Sequence, residues 1–489
     1  VGHRLNPGPN HSQTPGAQAA GRVAIVGGGW AGLAAGVELA AAGVPVVVFE
    51  AARSLGGRAR SVDRADGSRL DNGQHILLGA YSETLRLMQR VGADPERLLH
   101  RQALDLRYPG SASAAPFRLH LPRLPAPLHL AVGLLAAEGL TFADRLAAVR
   151  FMRSLQTRAW TLPADESVAA LLEREGQGKR GSRLRRRLWE PLCLSALNTP
   201  ACEASAQVFV NVLRDSLGGT RAATDLLLPA ADLGRIFPEP AAAFIAAHRG
   251  EVRVSTRVSS IEVDDSSGAF IVRSTAAGAA DAGGAHAAAG DDGGGERFAQ
   301  IIVATAAPAA ARLLAPWPAI AAPFAALTQA PIGTLYLGYP PEVRLPFPLL
   351  GLDGEGGGAA ALAGQPADQT PLGQWVFDRG QLCATPGVLS FVLSGSGAWE
   401  AFDAAALGQR LQRELETALG ERLPPPLWRQ LISERRATFD CLPGLARPAC
   451  RTAQHGLWLA GDFVCAGYPA TLEGAVRSGV AAARAILTD

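Results

Sequence analysis

A mixed α/β fold in two interleaved domains follows from three features of this chain. A short apolar run, Val23 to Val26, ends in a glycine-rich turn near the N-terminus. A second run, Gly456 to Asp462, ends in Ala-Gly-Asp near the C-terminus. Between them a meander of strands, Val252 to Val258, Ile261 to Val263 and Ala269 to Arg273, returns to a third buried strand, Gln300 to Thr305. At 489 residues the chain exceeds the size at which one hydrophobic core keeps growing, so two domains are expected.

The first strand reads as one buried on both faces of a parallel sheet. Gly27, Gly29 and Gly32 follow with G-x-G-x-x-G spacing. The first glycine allows a tight turn, the second lets backbone approach a pyrophosphate, and the third lets helix pack on strand. Ala31 to Ala42 is expected as a helix whose free N–H groups and dipole favour an anion. The next strand, Val46 to Phe49, ends in Glu50, about twenty residues on, where a carboxylate accepts both ribose hydroxyl protons. In a chain with 55 glycines the turn alone says little; strand, turn, helix, strand and acid in register predict a bound dinucleotide. Gly56-Gly57-Arg58, just beyond Glu50, resembles the second phosphate-side motif of FAD enzymes of the amine oxidase and carotenoid desaturase type.

Composition narrows the class. A formal charge of +2 is too small to imply nucleic acid. The six cysteines show no C-x-x-C spacing, so neither zinc nor a thioredoxin-like pair is indicated; Cys441 and Cys450 read as buried free thiols, or as neighbours. No metal site is expected. Residues 1–21 are rich in Gly, Pro, Asn, Gln and Ser and lack an apolar core, which predicts a disordered tail rather than a signal peptide. No run of eighteen apolar residues exists, so no transmembrane helix is expected.

Ser61 to Gly79 reads as a strand, a turn at Asp66-Gly67, and then Leu70-Asp71-Asn72-Gly73-Gln74-His75. His75 is either a core histidine or a contact to substrate or cofactor. Helices are expected at Tyr81 to Val91, Phe142 to Thr157, Ser167 to Glu173, Ser205 to Leu217, Ala241 to His248 and Leu407 to Leu419. The apolar stretch Leu124 to Leu140 is too short to span a bilayer; it lies on one or forms a buried core helix. The basic run from Gly176 to Arg187 reads as a solvated helix face, with anionic headgroups as the second option. An Ala/Gly/Asp tract at residues 275–295 reads as a dispensable loop. Gly467 to Gly479 then opens a C-terminal helix directly after Asp462.

From about Arg22 onward the chain resembles the squalene-associated FAD-dependent desaturases, the hydroxysqualene dehydroxylase family. The broad motifs at Gly27 to Gly32, Glu50, Gly56 to Arg58 and Ala460 to Asp462 are shared across the amine oxidase and phytoene desaturase superfamily. The narrower signal lies in Asn72-Gly73-Gln74-His75, Leu197-Asn198-Thr199-Pro200, Thr224 to Pro229 and Gly467 to Gly479. The resemblance implies a two-dinucleotide-binding-domain flavoprotein with a Rossmann-like FAD domain at residues 22–84, 250–310 and 436–489. Residues 85–249 and 311–435 would form the substrate domain, with 124–140 as a membrane-contacting segment. It implies FAD contacts at Gly27, Gly29, Trp30, Ala31, Gly32, Glu50, Ala51, Gly57, Arg58, Gly73, Gln74, Val258, Gly461, Asp462, Thr471 and Leu472.

The implied reaction removes the allylic hydroxyl of hydroxysqualene and delivers hydride, giving squalene, at the cytoplasmic face of a bacterial inner membrane. The hydroxyl must leave as water, so a general acid is needed. Among four polar candidates, His75, Asn198, Asp215 and Asp225, His75 ranks first and Asp225 second as proton donor. A histidine titrates near neutrality, and Asp225 precedes an apolar run that would desolvate it. The electron donor is not identified by any second nucleotide motif. Competing readings are oxidative desaturation of a polyene, amine oxidation, for which five tyrosines offer little aromatic cage, and a non-catalytic flavin-bearing scaffold of a squalene-synthesis complex.

Overall fold

The computed structural model describes residues 21–110, 115–276, 295–353 and 371–489. The expected tail, but for Gly21, and most of the Ala/Gly/Asp loop lie outside the described residues.

Three widely separated parts of the chain build one five-stranded parallel sheet. Its order is Glu251–Arg253, Val46–Phe49, Val23–Val26, Gln300–Val303 and Leu457–Leu459. Val23, Ala24, Ile25, Val47 and Val48 are almost wholly buried, which explains why these strands read as continuous apolar runs. The Trp30–Ala41 helix follows the first strand and the Leu472–Thr488 helix follows the last. The Thr256–Val263, Phe270–Ala276 and Glu296–Phe298 strands form the expected meander before the chain re-enters the sheet.

The second sheet is antiparallel, in the order Leu349–Gly351, Trp375–Asp378, Val388–Ser394, Gln329–Gly338 and Trp428–Phe439. One face is covered by Leu407, Leu411 and Leu415 of the Ala404–Leu419 helix, which pack on Leu335, Leu337, Phe391 and Leu393. The opposite face carries Ile332, Ile432, Val392, Trp375 and Phe377 toward a cavity. A buried ion pair joins the two sheets' surroundings: Arg379, just after the Trp375–Asp378 strand, donates to Asp71 at 3.3 Å and to the Gln74 side chain at 3.0 Å.

Two expectations need correction. The basic run is not simply a solvated face. Arg185 is buried and paired with Glu190, Arg187 pairs with Asp353 and stacks over Tyr108, and Arg183 donates to the Ala115 and Pro116 carbonyls. The run turns inward because Arg185–Trp189 is a π-helical turn, which breaks the simple period on which a solvated face would rest. Cys441 and Cys450 are both free, and of the two only Cys441 is fully buried while Cys450 is half-buried.

The Leu124 to Leu140 stretch is neither a pure core helix nor a span. Its Leu128–Leu135 helix buries His129, Leu130, Gly133 and Leu134 and exposes Leu128, Val132 and Leu135. No described helix is long and apolar enough to cross a membrane.

The Ser82–Arg90 helix has no side-chain cap of its own. Glu473, fully buried on the C-terminal helix, accepts from the Glu83 and Thr84 backbone N–H groups at 3.1 and 3.0 Å and from the Thr84 hydroxyl at 2.7 Å. This carboxylate caps a helix 390 residues away in sequence. Glu473→Ala is expected to cost about 2 kcal/mol, and Glu473→Gln about half of that because it keeps an acceptor. Urea unfolding of the three proteins checks the ranking; a Glu473→Ala variant as stable as the wild type would contradict it.

Candidate active site

The ends of the parallel strands, the two helix N-termini and the free face of the second sheet enclose one cavity of about 830 Å³. At one end it is walled by backbone. Gly27 has φ +116°, and an added Cβ would stand 2.5 Å from the Ala304 carbonyl oxygen. An added Cβ at Gly29 would instead meet only the Gly57 Cα, at 3.9 Å, so it would project into the groove that a ligand's phosphates would need. Gly32 lies behind the wall: its Cβ would be 2.0 Å from the Gly27 oxygen, so its part is to let helix meet strand. Gly56 donates its N–H to the Gly28 oxygen at 2.9 Å, which brings Gly57 and Arg58 alongside the turn.

Trp30, Ala31, Glu50, Ala51, Gly57, Arg58 and Val258 all line this end. Glu50 is held by backbone N–H groups of Gly28 and Ala52, each at 2.8 Å. Arg58 bonds Asp462 at 2.6 Å and the Ala437 carbonyl at 2.7 Å. Burial opposes the Arg58 charge, but the Asp462 carboxylate more than offsets it, so the guanidinium pKa rises above its ordinary value. Gly461, Asp462, Thr471 and Leu472 line the wall opposite, where the Thr471 hydroxyl caps the C-terminal helix by accepting from Gly474 N–H at 3.1 Å. A groove with the Glu50 carboxylate at one end, the N-terminus of the Trp30–Ala41 helix beside it and that of the Leu472–Thr488 helix further along fits a flavin dinucleotide.

Gly73, Gln74 and His75 form the next part of the wall. Gly73 takes φ +98°, and the His75 Nδ1 is 2.9 Å from the Gly73 carbonyl oxygen. The carbonyl can only accept, so Nδ1 carries the proton and Nε2 offers a lone pair. Desolvation lowers the His75 pKa; the Gly73 carbonyl and the Asp71 carboxylate only partly counter it. The ring is therefore neutral near pH 7, a proton acceptor rather than the proton donor that the sequence suggested. Gln74 turns its side chain away, to Arg379 and to the Ser390 hydroxyl.

Asp225 does not reach the cavity, although Thr224 and Leu226 on either side do. Its carboxylate pairs with Arg101 at 3.2 Å and Arg221 at 3.3 Å. Strand alternation directs it to the other face, and the two guanidinium groups supply the charge partners that an apolar neighbourhood was expected to deny. Asn198 lines the cavity but is saturated: it donates to Pro331 and Thr438 and accepts from Gly395 N–H. Asp215 is tied to Arg214 at 2.7 Å and to the Tyr468 hydroxyl at 2.9 Å.

Sequence reasoning passed over Glu434, Ile432 and Ile332, which sit on the cavity floor. The available signal was period-two alternation in the Trp428–Phe439 strand, which puts Glu434 on the same face as Ile432.

A glycine-walled dinucleotide groove opening onto an apolar floor is the site of a flavin-dependent oxidoreductase. The chain belongs to the flavin containing amine oxidoreductase family, whose model matches residues 30–487. It is 27% identical to a hydroxysqualene dehydroxylase of Zymomonas mobilis, over 94% of this chain and 97% of that one. Identity to the hydroxysqualene dehydroxylase of Sinorhizobium fredii is 29%, over 96% and 98%. A probable zeta-carotene desaturase of Synechococcus elongatus is 26% identical over 51% of this chain and 53% of its own. Among solved structures, an oxidoreductase from Methanosarcina mazei superposes with a TM-score of 0.67 at 15% identity, covering 94% of this chain and 99% of that one. Cyclohexylamine oxidase from Brevibacterium oxydans gives 0.63 at 19%, covering 96% and 99%.

The His75 environment makes a stability prediction. Its folded pKa lies below the ordinary 6.5, so as pH falls through 6.5 the unfolded chain takes up the proton first. Stability therefore falls with pH across that window, by up to about 1.4 kcal/mol per unit for this group. His75→Gln should lose less stability than the wild type between neutral pH and the acid side of the window. Parallel pH–stability curves for the two proteins would refute the assignment.

Proposed function

We propose that the protein binds FAD and reductively removes the hydroxyl of hydroxysqualene to give squalene, in bacterial squalene and hopanoid synthesis. The observation that carries this reading is the continuity of the cavity: the dinucleotide groove runs without a break onto the apolar face of the second sheet. The full-length similarity to hydroxysqualene dehydroxylases supports the same substrate.

FAD rather than a mononucleotide is favoured because the groove extends past the glycine turn to Glu50, Ala51 and Val258, where ribose and adenine would lie. Gly27 and Gly29 would admit the pyrophosphate, with the N-terminus of the Trp30–Ala41 helix facing it. Asp462 and Arg58 would hold the ribityl chain, and the start of the Leu472–Thr488 helix would face the flavin pyrimidine, whose oxygen gathers negative charge on reduction. When bound, the reduced flavin supplies hydride to the substrate. The apolar floor would exclude water and hold the hydrocarbon chain extended, which keeps the reacting carbon dry and in place. Electrons would come from an external donor.

Oxidative desaturation of a polyene is the second reading, favoured by the partial similarity to zeta-carotene desaturase. Purified enzyme should convert hydroxysqualene to squalene when its flavin is chemically reduced without oxygen, and leave phytoene unchanged when oxidised. The reverse pattern would establish the desaturase.

We infer further that the enzyme works on the cytoplasmic face of the inner membrane. Leu124, Leu128, Val132, Leu135 and Phe142 are five of the nine large hydrophobic side chains exposed among the described residues, and all fall within one short stretch. So dense an exposed apolar patch fits insertion into the upper bilayer, where the substrate dissolves. Leu128→Glu with Val132→Glu should reduce liposome co-sedimentation by about tenfold or more, on the scale of two lost apolar anchors. A wild-type protein that never sediments with liposomes would rule the idea out.

A further inference from the structure

The reaction needs a proton donor, and neither candidate drawn from the sequence can serve: His75 offers a lone pair and Asp225 is outside the cavity. The cavity itself narrows the choice. Four carboxylates line it, Glu50, Asp215, Glu434 and Asp462. Glu50 takes a backbone N–H on each oxygen at 2.8 Å. Asp462 is paired with Arg58 at 2.6 Å. Asp215 is paired with Arg214 at 2.7 Å and receives the Tyr468 hydroxyl. Glu434 forms no ion pair among the described residues. It receives only two long hydrogen bonds, from the Asn72 side-chain amide and from the Arg436 backbone N–H, both at 3.3 Å. Arg58, whose charge acts on Glu434 from further off, is already committed to Asp462 and to the Ala437 carbonyl.

Position adds to the case. In the second sheet Ile332 pairs with Ser394 on one side and Glu434 on the other, so these three form one row across the cavity floor. The next row is Trp375, Val392, Thr334 and Ile432. The turn at Asn72 and Gly73 lies over both rows: Asn72 reaches Glu434, and an added Gly73 Cβ would lie 3.8 Å from the Thr334 hydroxyl oxygen. Glu434 thus stands where the apolar floor meets the wall that carries His75.

We propose that Glu434 is the acid that protonates the departing hydroxyl, an assignment that rests on the dehydroxylation reading. Of the four carboxylates lining the cavity, Glu434 is the one held by neither an ion pair nor a hydrogen bond shorter than 3.3 Å among the described residues. The Glu434 carboxyl gives its proton to the allylic hydroxyl oxygen. The C–O bond breaks with its electron pair going to oxygen, and water leaves. A bound reduced flavin would supply the hydride for the new C–H bond, and with it the two electrons by which the carbon is reduced. Glu434 is left as the carboxylate, oriented by the Asn72 amide, and regains a proton from solvent once product departs. The His75 Nε2 lone pair accepts a hydrogen bond from the departing water.

The test compares wild type, Glu434→Gln and Glu434→Asp, each loaded with flavin. Glu434→Gln keeps the size and the Asn72 contact but has no acidic proton. Its turnover of hydroxysqualene should fall about a hundredfold or more, with flavin content and substrate affinity retained, and Glu434→Asp should recover part of the rate. A second readout is independent of turnover. Infrared difference spectra of the oxidised enzyme on adding hydroxysqualene should show the stretching band of a protonated carboxyl, absent in Glu434→Gln. If the wild type is active and Glu434→Gln is equally active, or if the band persists in Glu434→Gln, the assignment of Glu434 is overturned alone. If the wild type is inert toward hydroxysqualene, the dehydroxylation reading is overturned, and with it this role.

Discussion

The helices that follow the first and last strands of the parallel sheet touch backbone to backbone. A Cβ on Gly479 would stand 2.0 Å from the Ala31 carbonyl oxygen, and one on Gly32 equally close to the Gly27 oxygen. These contacts fix the distance between the two helices and set both N-termini on one cavity. They also bring the Gly57-Arg58 segment within reach of Asp462, 404 residues away, at 2.6 Å. Any side chain at these glycines would separate the two motifs that bracket the cofactor groove. The groove is thus a consequence of how closely backbone can approach backbone, and the charges along it come second.

The second sheet is held to this frame by polar contacts made in apolar surroundings. Arg379 and Asp71 form a buried pair, and the Tyr336 hydroxyl donates to the Asp71 carbonyl at 2.9 Å. Burial pushes the Asp71 carboxyl up, against the pull of Arg379. Removing either partner would leave an uncompensated buried charge, so the pair ties the loop that carries Gly73 and His75 to the sheet that floors the cavity. The cavity is lined from both sheets at once, which is how one apolar face comes to lie beside a dinucleotide groove.

The Leu128–Leu135 helix places an ionisable residue inward and three apolar residues outward. Such an arrangement leaves an apolar patch on the surface. The same economy runs through the cavity, where most titratable groups are paired with each other or with backbone and few remain to do chemistry.

Local patterns carried much of this. The strand, glycine turn, helix and acid from Val23 to Glu50, and the strand and helix from Gly456 onward, were legible because a parallel strand must be apolar throughout and a phosphate turn must be glycine. Helices such as Phe142–Thr157 were legible from their period; the Thr141–Asp144 capping box that starts this one is visible only in the structure. Which polar residue does what was not legible. Asp225 has the neighbours of a desolvated acid in sequence, but Arg101, 124 residues earlier, pairs with it. His75 has the ordinary titration of its type until burial and the Gly73 carbonyl set its protonation and tautomer. Glu434 is unremarked in a stretch with arginines on either side until strand register sets it beside Ile332, facing the cavity. The sequence by itself determined the cofactor class, because that depends on backbone conformation within short segments. Only the tertiary structure decided which polar groups are paired and which face the cavity, because their partners lie up to hundreds of residues away in the chain.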